Sequence, residues 1–303
     1  MHSDALSRNS ALQASTNTSS TSLDSLFSHL GSLPTISSTP VETAPIDSEL
    51  NLSHVSELIQ RKIQSKTVVI LVGLPASGKS SVCKQMMDFL TKNGYKSLIY
   101  NAGNIRRAIV REFSDSEFFN PANVEASRQR EQFARMCMDN MLEDFKENRI
   151  NVGFLDATNT TVERRRKMVD LAHNAGIELS NIFILDVSCT DEKLAGYNVT
   201  SKAFNADYLG CDVTQSICDF KRRSEHYFKV YEPLLEEELE SYENVSYLRI
   251  HNGGKEHVVK EVVHGDAASM AIISFVSNYY KLYGEKYHNA VDSFYESANF
   301  AQH

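Results

Sequence analysis

The chain has 303 residues, 42% of them hydrophobic, and a formal net charge of −8. That apolar content is enough for a proper core, and the acidic balance argues against a general affinity for nucleic acid or anionic membrane. Any anion site must be a local cluster of cations set against the overall field.

Residues 1–46 are dominated by Ser and Thr with Asn, Gly and Pro, a composition that buries too little apolar surface to offset chain entropy. A disordered arm is expected there, suited either to a spacer or, with Thr39-Pro40, to phosphorylation. The start lacks the apolar core of a signal peptide, and no run approaches the roughly 18 apolar residues needed to span a bilayer. A cytoplasmic location follows as an expectation.

From Asp47 the stretch "DSELNLSHVSELIQRKI" predicts a short amphipathic helix. Five β-branched runs follow, at residues 67–72, 97–102, 150–155, 181–188 and 245–250, separated by long amphipathic stretches. Strands alternating with helices predict a single α/β domain over residues 47–284, a parallel sheet with helices on both faces. Such sheets bind ligands beyond the carboxyl ends of their strands. The acidic "EPLLEEELE" at 232–240 reads as a solvated helix end, and residues 285–303 as a C-terminal helical tail. Cys83, Cys137, Cys189, Cys211 and Cys218 are an odd set without framework spacing, as expected of reduced thiols. Asn159-Thr160-Thr161 is therefore not expected to carry a glycan.

Directly after the first predicted strand comes "GLPASGKSS", which fits G-x-x-x-x-G-K-[ST] at Gly73, Gly78, Lys79 and Ser80. Glycines let backbone N–H groups close around phosphates at a helix N-terminus, where the dipole also favours negative charge. Lys79 would reach the β and γ phosphates, and the Ser80 hydroxyl would ligate Mg2+. The cradle is Gly73, Leu74, Pro75, Ala76, Ser77, Gly78, Lys79, Ser80 and Ser81. A P-loop of this kind usually pairs with an acidic residue at a neighbouring strand end. Asp156, closing "NVGFL", fits that role; Asp156 or Thr158 would also serve to cap the following helix.

The second run ends in "YNAGNIRRAIV", with Arg106 and Arg107; "EASRQREQFARM" adds Arg128 and Arg130, and "DFKRRSEHYFKVYEP" adds Arg222, Arg223 and Tyr227. Each alone is more often a surface cation, but together they supply forks for a phosphorylated acceptor. The burst Arg164-Arg165-Arg166 in "FLDATNTTVERRRK" has the solvated face as its first reading.

With these stretches, and with "FFNPANVEASRQR" and "SCTDEKLAGYNVTSKAFNADY", the chain from about Thr67 to Tyr283 resembles the kinase domain of the 6-phosphofructo-2-kinase/fructose-2,6-bisphosphatase family. The resemblance implies a P-loop NTPase-type fold and transfer of the γ-phosphoryl of ATP, with Mg2+, to the C2 hydroxyl of fructose 6-phosphate. The product, fructose 2,6-bisphosphate, regulates glycolysis. It implies catalytic roles for Lys79, Asp156 and Lys202, metal contacts for Ser80 and Asp156, and nucleotide contacts for Asn198 and Lys202. Sugar-phosphate contacts fall on Arg106, Arg130, Thr158, Arg164, Arg223 and Tyr227. Cys189 matches a family cysteine, though a structural thiol reads equally well.

The chain departs from the family pattern in three places: Ser77 and Ser80 within the loop, the tyrosine lacking before Arg106-Arg107, and Glu261 where arginine is usual. "VHGD" at 263–266 lacks the arginine of a bisphosphatase nucleophile motif and reads as a helix start, so a kinase-only, fungal-type member is expected. A homodimer is compatible with all of this. Rival readings are a P-loop kinase for another phosphorylated acceptor and a nucleotide- or sugar-phosphate-binding regulatory protein. Successive helical residues project about 100° apart, so three adjacent arginines cannot share one cleft. Arg164 is the expected ligand, while Arg165 and Arg166 keep the reading of solvated or salt-bridged surface.

Overall fold

A computed structural model of the chain describes residues 65–110, 115–260 and 266–300. The Ser/Thr-rich arm, the amphipathic stretch from Asp47, Glu261 and most of "VHGD" lie outside the described residues. In chain order the elements are β1 (Thr67–Val72), α1 (Lys79–Lys92), β2 (Ser97–Asn101), α2 (Ala102–Ile109), α3 (Val124–Lys146), β3 (Val152–Asp156), α4 (Val162–Asn174), β4 (Ile182–Ser188) and α5 (Glu192–Lys202). They continue with α6 (Val213–Lys229), α7 (Glu236–Glu240), β5 (Ser246–His251), β6 (Glu256–Lys260), α8 (Ala267–Ser277) and α9 (Glu285–Phe300).

The sheet order is β2-β3-β1-β4-β5-β6. The five strands expected from the sequence run parallel. The sixth, β6, was not expected from the apolar pattern and runs antiparallel to β5, so the sheet is mostly rather than wholly parallel. Its side chains are largely exposed, as an edge strand allows.

β1 is buried throughout and feeds both cores. Val68, Ile70 and Val72 pack with Met138, Met141 and Phe145 of α3 and Met168 of α4 on one face. Val69 and Leu71 pack with Val82, Cys83 and Met86 of α1 and Ile272 and Phe275 of α8 on the other. Period-two alternation in the strand thus serves two helical layers at once. Phe145, Phe154, Phe183 and Phe275 are essentially inaccessible, and burying each contributes about 1.5–3 kcal/mol. Gly153 in the middle of β3 lets α3 settle on the sheet, because a Cβ there would lie 2.5 Å from the Met141 side chain.

β1 lies between β3 and β4, so the chain winds to one side of it through β2 and β3 and then to the other through β4 and β5. This reversal opens a crevice at the carboxyl end of β1. All five cysteines are free thiols. Among the described residues no helix is long and apolar enough to cross a membrane. At "VHGD", the described residue Asp266 caps α8, its carboxylate accepting the Ser269 N–H at 2.7 Å.

Candidate active site

The loop from Gly73 to Gly78 joins β1 to α1 over the crevice. Gly73 sits at φ +140° with its Cα against the Val187 carbonyl, where no Cβ fits. Its N–H donates to the Thr158 carbonyl at 3.1 Å, tying this loop to the one after β3. Gly78 caps α1 in the left-handed conformation, without a side-chain cap and with no acidic residue in the first turn. The helix start therefore keeps its N–H groups and its positive end for an anion.

Lys79 is buried, and Nζ donates to the Leu74 carbonyl at 2.5 Å. Burial pulls its pKa down to about 8, helped by nearby Lys202 and Arg223 and opposed by Asp156 and Asp186. Asp156 ends β3 opposite Asn101 of β2. Asn101 does two jobs: its Nδ2 donates to Asp156 Oδ2 at 2.5 Å, and its Oδ1 caps α2 through the Asn104 N–H at 2.9 Å. Neither Asp156 nor Thr158 caps α4; Thr161 does, because the chain needs the intervening residues to leave the sheet before turning helical.

Lys202 stands at the end of α5. Burial lowers its pKa, Asp156 raises it, and Arg223 and Arg107 lower it further. Asn198, one turn earlier, donates through Nδ2 to the Ala76 carbonyl at 2.8 Å. That bond holds a left-handed residue, since Ala76 has φ 60°.

The predicted arginines converge. Arg106, Arg107 and Arg223 all donate to Asp207: Arg106 to Oδ1, Arg107 to Oδ1 at 3.1 Å, and Arg223 to Oδ2 at 3.0 Å. Burial alone would raise the Asp207 pKa, but these guanidinium groups overcome it and bring the carboxyl down to about 2. Arg223 stacks on Phe119 at 3.8 Å from the ring centroid, with Arg106 at 5.1 Å and the Tyr227 ring at 5.7 Å. Two donors in this group, Arg106 Nη1 and Arg223 Nε, are buried without a hydrogen-bond partner. Buried donors of that kind are rare and suit a site made for an anion.

Arg130 is fixed by the Phe118 carbonyl and by Ser127 Oγ at 2.8 Å. Arg164 is held by Glu131, its Nε at 2.7 Å from Oε1. Arg128 does not join them; it pairs with Glu125 on the surface.

All of the expected site residues line one cleft of about 700 Å3, apart from Gly73 and Leu74, which shape the loop from behind. Asp207, Phe119, Asn101 and Arg107 line it as well. Asp207, Phe119 and Asn101 had no role assigned from the sequence, although all three lie within the stretches that carry the resemblance, and Arg107 was expected only as one of the clustered cations. Cys189 lines the cleft, but burial raises its pKa and Sγ lies 3.7 Å from the Asp191 carbonyl, so it is not an activated thiol.

The "ERRRK" burst resolves into three different environments. Arg164 faces the cleft and Arg166 is exposed, with Nη2 at 3.0 Å from Ser241 Oγ. Arg165 is salt-bridged but wholly buried, which overturns its reading as surface. It forms a two-pronged pair with Glu238 of α7, at 2.7 and 2.5 Å, and donates to the Asn159 and Glu232 carbonyls at 3.2 and 3.0 Å. The acidic stretch is corrected with it, since Glu238 turns inward while Glu236, Glu237 and Glu240 stay exposed.

The family model for 6-phosphofructo-2-kinase matches residues 55–281. 6-phosphofructo-2-kinase 1 of Saccharomyces cerevisiae is 35% identical over 212 residues, covering 69% of this chain and 25% of that protein. A probable 6-phosphofructo-2-kinase of Schizosaccharomyces pombe is 35% identical over 219 residues, 71% of this chain and 32% of its own length. 6-phosphofructo-2-kinase/fructose-2,6-bisphosphatase 1 of Mus musculus is 33% identical over 219 residues, 69% of this chain and 45% of its own length. The matched region thus spans between a quarter and a half of each of these relatives.

Proposed function

Because the chain belongs to the 6-phosphofructo-2-kinase family, we propose that it transfers the γ-phosphoryl of ATP to the C2 hydroxyl of fructose 6-phosphate, giving fructose 2,6-bisphosphate and ADP. The observation that carries this reading is the shared cleft. A phosphate cradle with a buried lysine opens onto a second pole of buried arginines, two of which hold donors without partners.

At the first pole, the α1 N-terminus and the loop N–H groups bind the triphosphate, and Lys79 neutralises charge on the transferred group. Lys202, which shares the field of Asp156 with Lys79, approaches the same group from α5. At the second pole, Arg106 and Arg223 grip the sugar phosphate, backed by Arg130 and Arg164, while Tyr227 and Phe119 close the wall. Holding both reactants rigidly converts a bimolecular encounter into an oriented one, and the cations stabilise the charge that builds up on transfer. Ser80 and Asp156 offer only hard oxygen donors, a set that fits Mg2+, which keeps most of its waters. When bound there, the ion would neutralise phosphate charge.

The test is incubation of the purified chain with Mg·ATP and a panel of sugar phosphates. An acid-labile bisphosphate should form from fructose 6-phosphate; product from another acceptor alone would refute the assignment. In the same assay, Arg164→Ala should raise the fructose 6-phosphate KM about 10- to 100-fold, the loss of a charge-assisted contact. The ATP KM should hardly move, and an unchanged sugar KM would remove Arg164 from the site.

A pH profile provides a second check. Because the Lys79 pKa is lowered to about 8, its charged fraction falls as pH rises through that value. The kcat/KM for ATP should decline above about pH 8, since this ratio reports the free enzyme. A profile flat to about pH 10 would mean that Lys79 stays charged or plays no part.

A further inference from the structure

The family match ends at residue 281, yet the cleft does not. Tyr287 of α9 lines it, donating its hydroxyl to Asn198 Oδ1 at 3.0 Å. The other end of the same amide donates to the Ala76 carbonyl. One asparagine therefore connects α9 to the only non-glycine residue with positive φ in the phosphate loop, a conformation that persists when its surroundings hold it.

α9 is seated firmly enough to exert that hold. Phe294 packs edge-on against Tyr197 of α5 at 5.3 Å, and Tyr295 donates to the Lys193 carbonyl at 3.1 Å. On the other side, His288 Nε2 lies 2.9 Å from the Asn252 carbonyl. A Cβ on Gly253 would come within 2.8 Å of the Tyr287 ring, so the turn after β5 and the helix are in close contact.

The cleft is also divided by chemistry. Arg106, Arg107 and Arg223 gather around Asp207, whereas Val187, Ile250, Gly253, Tyr279 and Tyr287 supply apolar and aromatic lining, with Gly253 against the Tyr287 ring. A triphosphate on the loop with its base against this lining meets uncharged walls.

We propose that α9 is part of the nucleotide site, with Tyr287 a positioning residue that holds Ala76 through Asn198 and borders the base. This rests on the phosphoryl-donor reading above.

The test uses the full chain and calorimetric titration with Mg·ADP, alongside steady-state kinetics. Tyr287→Phe keeps the ring and removes the hydroxyl; it should weaken Mg·ADP and raise the ATP KM about fivefold, the loss of one hydrogen bond. The kcat, the fructose 6-phosphate KM and the melting temperature should stay near wild type, which a merely structural role would not predict. Tyr287→Ala should weaken Mg·ADP further, and restoring Phe at the position should recover the ring's share. Wild-type affinity in Tyr287→Phe, or a loss confined to kcat or stability, would overturn the inference even if Tyr287→Ala fails to fold. Wild-type chain that binds no Mg·ADP would overturn the nucleotide reading and this inference with it. Wild-type chain that binds Mg·ADP but leaves fructose 6-phosphate unmodified would refute only the acceptor, and the Tyr287→Phe affinity would still decide.

Discussion

Lys79→Met should reduce kcat by about a thousandfold, or about 4 kcal/mol of barrier, the scale of removing a preorganised charge from a water-poor site. Methionine keeps the volume of the lysine stem and removes the ammonium. The same substitution should leave the melting temperature unchanged or raise it. The native ammonium is buried, and desolvation is the largest influence on its pKa, ahead of the attraction of Asp156. Its charge is therefore held at a cost to the fold, and removing it relieves that cost, the usual relation between a poised site and stability. Single-turnover transfer from labelled ATP and a thermal melt on the same preparation test both halves. A loss in kcat of less than about tenfold would move charge stabilisation elsewhere, with Lys202 the next candidate. A large fall in melting temperature would mean that the ammonium's bonds to Leu74 and Ser77 outweigh its burial.

The parts of the fold legible in the sequence are those whose signal is local. β1, β3 and β4 are buried almost throughout and, like the other two parallel strands, appear as short apolar runs, and the phosphate loop is a contiguous motif between strand and helix. β6 escapes that pattern because an exposed edge strand needs no apolar face. The site divides the same way. Glycines and Lys79 declare themselves by spacing, but Asp207 takes its meaning from Arg106, 101 residues away. Composition cannot tell a carboxylate that organises three arginines from one that sits in water. Asn101 is hidden for a similar reason, since it is paired to Asp156 only by the register of β2 on β3.

Arg165 and Glu238 are the extreme case, two charges in charge-rich runs that meet in the interior 73 residues apart. Glu238→Leu alone should destabilise the protein by about 3–5 kcal/mol, because it leaves the buried guanidinium without its counter-charge. Tyr242, which donates to Glu238 Oε1 at 2.9 Å, would lose its partner too. Arg165→Met with Glu238→Leu should recover most of that loss, since apolar residues of similar volume commonly replace a buried pair at little cost. Function should not recover with stability. Arg165 also holds the Asn159 carbonyl, and Asn159 in turn donates to the Leu71 carbonyl at 2.6 Å, so this guanidinium braces the loop that carries Thr158 against the base of the phosphate loop. The double variant should therefore fold with near-native stability in urea while its fructose 6-phosphate KM stays raised about tenfold, the scale of losing a charged hydrogen bond. Arg166→Ala is the control: exposed, with Ser241 Oγ and the Tyr242 ring as its contacts among the described residues, it should change stability by less than about 0.5 kcal/mol. A double variant with native sugar kinetics would show that the pair stabilises the core without positioning the site. One that stays as unstable as Glu238→Leu would place the stability in the hydrogen bonds of Arg165 to the Asn159 and Glu232 carbonyls rather than in the ion pair.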